Sequence, residues 1–317
     1  MSNTILNTIP IYNQIVGFKS GIVIHGAAYG LFGGGYTGSV SAYTDKYTYS
    51  NNVVAPGTVL GLARSWLAAC GNSTVGIFGG GYTTTYTAYT DKYTYSNNVV
   101  AAGTVLSASI VNSGSCGNST VGIFGGGYDP AIDSYTNAII KYIYNSNTIT
   151  AGTSLTGTAR RYLTACGNLT VGIFGGGYTT TFSNYTSNYT YSNNTVAAGT
   201  VLGLARFALS SCGNSIVGVF GGGNNTNNNI CLNYTDKYTF SNNTVAAGTV
   251  LGLARNHLSA CGNSIVGIFG GGLSDNNVTY TNYIDKYVFS NNAVSIGTVL
   301  GLSRSTLAAT SSSPGHL

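Results

Sequence analysis

The chain has 317 residues and a formal net charge of +5, yet only 6% of its residues are charged and none is glutamate, against about 25% charged in an average globular protein. Its lysines and arginines are spread along the chain without a basic run, which argues against a dense phosphate-contacting patch and so against nucleic-acid binding. No stretch approaches the ~20 apolar residues of a membrane span, and residues 1–17 lack the charged start and apolar core of a signal peptide.

Along the chain, the first elements are irregular. Residues 1–17 read as an arm or an extra outer strand, with 5–15 a degenerate strand-like run and 22–26 a divergent short strand. Phe-Gly-Gly-Gly then recurs at Phe32, Phe78, Phe124, Phe174, Phe220 and Phe269, at spacings of 46 to 50 residues. The unit repeats without a shift in composition, so 18–310 reads as one domain, followed by a flexible tail at 311–317. Repeats of this length, each with four short strand-like runs, fit the blades of an all-β, six-bladed β-propeller.

Residues 64–108 show the unit in full. Leu-Ala-Ala-Cys is strand A, Val-Gly-Ile-Phe-Gly-Gly-Gly strand B, Asp-Lys-Tyr-Thr-Tyr strand C and Val-Val-Ala-Ala-Gly-Thr-Val strand D, each short and bounded by turn formers. Gly71-Asn72 marks the A–B hairpin and Asn97-Asn98 the C–D hairpin, because glycine and asparagine tolerate the positive φ of tight turns. Alternation puts Tyr43, Asp45, Tyr47 and Tyr49 on one face of strand C, where tyrosine can fill the space between blades and its hydroxyl can find a partner. Cys70, Cys116, Cys166, Cys212 and Cys261 share one repeat position. Disulfides between adjacent blades would violate the ~7 Å limit on Cα separation, so these read as small buried hydrophobes. Cys231 stands apart in a variable loop as a candidate reactive thiol.

The order Ile-Phe-Gly-Gly, variable loop, Asp-x-Tyr, turn, Ala-Arg and Leu-Ala-x-Cys resembles kelch repeats over about nine-tenths of the chain, the propeller architecture of galactose oxidase. Val54 and Val100 stand where the family usually has tryptophan. The resemblance implies that the B–C and D–A loops form a ligand-binding channel mouth, rimmed here by Arg64, Arg160, Arg206, Arg255 and Arg304. Five guanidinium groups around one opening would suit a carboxylate, phosphate or sulfate. Alternatively, each arginine pairs with the aspartate of its own blade.

The ends carry one strand too many. Residues 304–310 copy strand A a seventh time, and if Arg304 serves the first blade with Asp45, arginine and aspartate occur together in four blades and are both replaced in the third, by Ile110 and Ile140. The C-terminal strand is therefore expected to complete the first blade, the segment at 22–26 being the alternative. A surplus strand could instead be donated to another copy of the chain, giving a homo-oligomer.

The B–C loops, at 36–44, 82–90, 128–138, 178–186, 224–235 and 273–284, vary while the scaffold does not, and so are candidate carriers of specificity. Their binding candidates are Tyr36, Tyr82, Tyr128, Tyr178, Asn224 and Asn225. Uncharged hydrogen-bonding groups beside aromatic faces suit glycans or a protein receptor. His25, His257 and His316 do not cluster, no phosphate loop or catalytic triad occurs, and no paired carboxylates suggest glycoside hydrolysis. The expectation is a non-catalytic recognition module without cofactor or metal, part of a virion, tail fibre or cell-surface adhesin; the alternatives are a self-assembling architectural subunit and a propeller enzyme acting on carbohydrate.

Overall fold

The computed structural model describes residues 28–225, 230–275 and 277–313. The arm at 1–17, the segment at 22–26 and the last tail residues, 314–317, lie outside the described residues. The described chain is all-β, with six four-stranded antiparallel sheets arranged as propeller blades. No helix among the described residues is long and apolar enough to cross a membrane. In the second blade, Ala68–Gly71 is innermost, followed outward by Val75–Gly79, Thr90–Thr94 and Val99–Ala102. Inner strands of successive blades lie side by side around the axis, from Ala308–Ser311 through Ala68–Gly71, Gly114–Gly117, Thr164–Gly167, Ser210–Gly213 and Ser259–Gly262 back to the start.

Ring closure follows the expected route. Ala308–Ser311 pairs antiparallel with Tyr29–Gly33, with Ser311 opposite Gly30 and Ala308 opposite Gly33. Ser311 thus belongs to the closing strand, and Tyr29 N–H donates to Ser312 Oγ at 2.9 Å. The first blade so joins both ends of the described chain, and the inner edge of Tyr29–Gly33 is paired.

The glycine triplet has two different reasons. A Cβ on Gly79, the first of its triplet, would lie 3.0 Å from the Phe124 ring of the next blade, whereas Gly80 and Gly81 adopt φ of +68° and +108°. Phe32, Phe78, Phe124, Phe174, Phe220 and Phe269 are all fully buried. The first glycine admits the neighbouring blade's phenylalanine, and the other two turn the chain out of strand B where an L side chain would be strained. The cysteines meet a similar requirement. A Cβ at Gly122 would collide with Cys70 Sγ of the preceding blade, and the same holds for Gly172 with Cys116, Gly218 with Cys166, Gly267 with Cys212 and Gly30 with Cys261. All six cysteines are free and buried, and burial pushes the Cys116 and Cys261 thiols up to about 12.

Between blades, Tyr47, Tyr93, Tyr142, Tyr189, Tyr238 and Tyr287 are buried to within 1%. Lysines on the opposite face of strand C latch blades together: Lys46 Nζ donates to Asn98 of the next blade at 2.8 Å, and Lys286 to Asn52 at 2.9 Å. Asn52 and Asn98, in the C–D turns, have the expected positive φ, 57° and 56°. The A–B turn works differently. Asn72 is not left-handed; its Oδ1 accepts the amides of Thr74 at 2.9 Å and Val75 at 3.0 Å, an Asx-type turn. Gly71 is the last residue of its strand, needed because a Cβ there would meet the Val75 carbonyl at 2.5 Å. Strand D also ends early, at Ala102 in the second blade, since the following Gly103 packs against Thr90 as the chain turns inward.

Candidate functional site

At the glycine-triplet end of the ring, each D–A loop delivers an arginine, or Ile110 in the third blade, then a residue bridged to the one that follows the triplet. These bridges are Ser305 with Tyr36, Ser65 with Tyr82, Val111 with Tyr128, Arg161 with Tyr178, Phe207 with Asn224 and Asn256 with Leu273. The next residue of each loop is left-handed without being glycine: Trp66, Asn112, Tyr162, Ala208, His257 and Thr306 have φ between 51° and 57°. That conformation is costly, particularly for bulky or β-branched side chains. It aims each amide at the preceding blade. Asn112 N–H donates to Trp66 O at 3.1 Å, Trp66 to Thr306 at 3.0 Å, Thr306 to His257 at 2.9 Å, His257 to Ala208 at 2.8 Å, Ala208 to Tyr162 at 3.0 Å and Tyr162 to Asn112 at 2.9 Å. The six bonds form a closed circle at the channel mouth.

The five arginines expected at the rim start from this mouth but turn inward. Arg64, Arg160, Arg206, Arg255 and Arg304 are at most 2% exposed. Four form buried ion pairs with the aspartate of their own blade: Arg64 with Asp91 and Arg206 with Asp236 at 2.7 Å, Arg255 with Asp285 and Arg304 with Asp45 at 2.9 Å. Each aspartate also accepts a loop amide, as Asp91 does from Gly61 at 2.8 Å. Arg160 faces Ser187 and bonds the Gly176 carbonyl at 2.9 Å. Burial pushes Arg160 and Arg255 down to about 10, so they remain protonated at neutral pH. These guanidinium groups brace the D–A loops from beneath, and none is presented to the opening.

What the mouth does present is aromatic. Trp66 contacts Tyr82 at a centroid distance of 5.5 Å, Tyr82 contacts Tyr86 at 5.3 Å, and Tyr86 reaches across to Tyr128 of the third blade at 5.6 Å. The series continues through Tyr135 and Tyr178 to Phe207, which stacks on Phe182 at 5.5 Å with the ring planes 8° apart. Tyr162 touches both Phe207 and His257. Tyr36 is exposed and belongs to a separate pair with Tyr280 at 6.0 Å. The arc therefore spans the second to fifth blades. Beside its Phe207 end, Asn224 is buried and bridged to Phe207 and Cys231, and Asn225 is half-buried next to it. Cys231 is buried, its thiol donating to the Leu273 carbonyl at 3.3 Å.

Beneath the circle, the inner strands enclose a channel of about 110 Å³ lined by small residues such as Ala68, Ser115, Thr164 and Ser259. His257 sits at its head, and enclosure pushes the imidazole down to about 4, so it is neutral at physiological pH. Among the described residues, no group of three or more His, Cys, Asp or Glu could hold a metal ion.

Of the residues expected at the site, Tyr82, Tyr128 and Tyr178 come together in the arc, Tyr36 and the asparagines lie outside it, and the arginines lie below it. Trp66, Tyr86, Tyr135, Tyr162, Phe182 and Phe207 were missed. The only signal for them is positional. Trp66, Tyr162 and Phe207 fall one or two places after the repeat arginine, the others within the variable loops. Comparison with protein-family models and with curated proteins gives no match to this chain.

Proposed function

We propose that the protein is a non-catalytic, kelch-like recognition propeller whose mouth face binds a glycan on a surface receptor, in a virion, tail fibre or adhesin. The kelch reading rests on the order of Phe-Gly-Gly-Gly, Asp-x-Tyr and Ala-Arg in each full repeat. One observation carries the functional reading: a continuous arc of partly exposed aromatic rings, flanked by Thr, Ser and Asn side chains, on the one face where the repeats diverge. Sugar rings present apolar C–H faces that pack on aromatics and hydroxyls that bond to neutral polar groups, which suits such a surface better than a charged one.

The test is a glycan array probed with the wild type and with Tyr86→Ala and Tyr135→Ala. Retention of a defined set of glycans, weakened about tenfold or more by either substitution (~1.4 kcal/mol), is the expected result. No glycan retained above a variant carrying residues 36–44 in place of 82–90 and 128–138 would overturn it.

A further inference from the structure

On the reading that this face binds glycans, we infer that the pocket between the second, third and fourth blades is a subsite for one sugar residue bearing a carboxylate. Its walls are Tyr86, Tyr128, Asp133, Ser134, Tyr135 and Arg161, around a space of about 420 Å³, within the range of small-molecule clefts. Arg161 marks the site. The same repeat position holds Ser65, Val111, Phe207, Asn256 and Ser305 in the other blades, and among the described arginines only this one is not buried.

Among the described residues, no carboxylate forms an ion pair with it. The four ion pairs of the described residues all lie elsewhere, and Asp133 is engaged by the hydroxyl of Tyr128. The Arg161 guanidinium instead packs on the rings of Tyr162 at 4.8 Å, Tyr135 at 5.0 Å and Tyr178 at 6.0 Å. Held against these rings it is oriented before a ligand arrives, and a planar guanidinium matches a carboxylate with two parallel hydrogen bonds.

The pocket also has a polarity. A short ribbon, Tyr128–Asp129 with Ser134–Tyr135, sets the two tyrosines opposite each other and carries Asp133 in its turn. Hydrogen bonding to Asp133 pushes the Tyr128 hydroxyl up to about 12, so it stays protonated. At this end Asp133 and Ser134 accept from sugar hydroxyls, and the Asp133 charge repels a second anion. The ligand is oriented with its carboxylate on Arg161, its hydroxyls toward Asp133 and its ring against Tyr86 and Tyr135.

The experiment titrates the full chain, followed by ligand-observed NMR, with three matched pairs: methyl glucuronide and methyl glucoside, methyl galacturonide and methyl galactoside, and the methyl glycoside of N-acetylneuraminic acid and its methyl ester. At least one acid should bind about tenfold or more tighter than its neutral partner, with a preference that shrinks as salt rises. Arg161→Gln should abolish the preference, and Arg161→Lys should retain part of it. Equal binding of acid and neutral partners, or a preference surviving in Arg161→Gln, overturns the inference while leaving glycan recognition intact. Absence of binding by all six probes overturns the subsite, and the glycan array then decides the broader reading separately.

Discussion

Arg64 and Asp91 illustrate how a buried charge can be structural and still be dispensable. Desolvating both groups costs several kcal/mol, which their 2.7 Å contact and the amide of Gly61 offset. The third blade holds Ile110 and Ile140 at the same positions, both within its apolar core, so the loop closes without any charge. Asp91→Ile alone is expected to destabilise the fold by about 3–5 kcal/mol, because it strands a guanidinium. Adding Arg64→Ile should recover most of that loss in urea unfolding, and a double variant as unstable as the single would refute this account. The pairing was legible in the sequence because arginine and aspartate vanish together in the third blade. The direction of the arginines was not, since the same residue in the same loop could point to the opening or beneath it. Which one occurs depends on the Phe78 carbonyl, the Asp91 carboxylate and the face of Tyr89 waiting inside.

Across a blade interface, glycine and cysteine form one unit. Cys70 of the second blade occupies the space that a side chain on Gly122 of the third would need. Gly122→Ala should therefore destabilise by about 1–3 kcal/mol through overpacking, and Cys70→Ala, harmful by itself, should lessen the damage when combined with it. Additive costs in chemical denaturation would show that the two sites do not share this space. Strand order and the C–D turns could be read from alternation and from the Asn-Asn pairs. The A–B turn was placed correctly for an incorrect reason: its asparagine acts through the side chain and not through a left-handed backbone, a distinction that residue type alone does not carry.

For the molecule as a whole, Ala308–Ser311 is a neighbour of Tyr29–Gly33 although nearly the full chain length separates them. Deleting residues 304–317 would expose both the backbone edge of Tyr29–Gly33 and the Asp45 carboxylate that Arg304 neutralises. That variant is expected to aggregate or associate by edge pairing and to lose its sharp thermal transition. A cooperative monomer by light scattering would show that closure comes from elsewhere. Ring size and closure were legible because repetition constrains every blade at once. The aromatic arc was not, because it departs from the repetition: Tyr86 and Phe182 share a loop position that holds Val40 in the first blade, Tyr135 sits in a longer loop, and only the folded ring brings them within 6.5 Å of their neighbours, a normal spacing for aromatic pairs.

The circle of amide-to-carbonyl bonds at the mouth runs in one rotational sense, every blade donating to the one before it. Such a hoop cannot widen at one blade without stretching its neighbours. A polymer arriving at this end would lie across the face, held by rings that tighten or slacken individually while the frame beneath keeps one diameter.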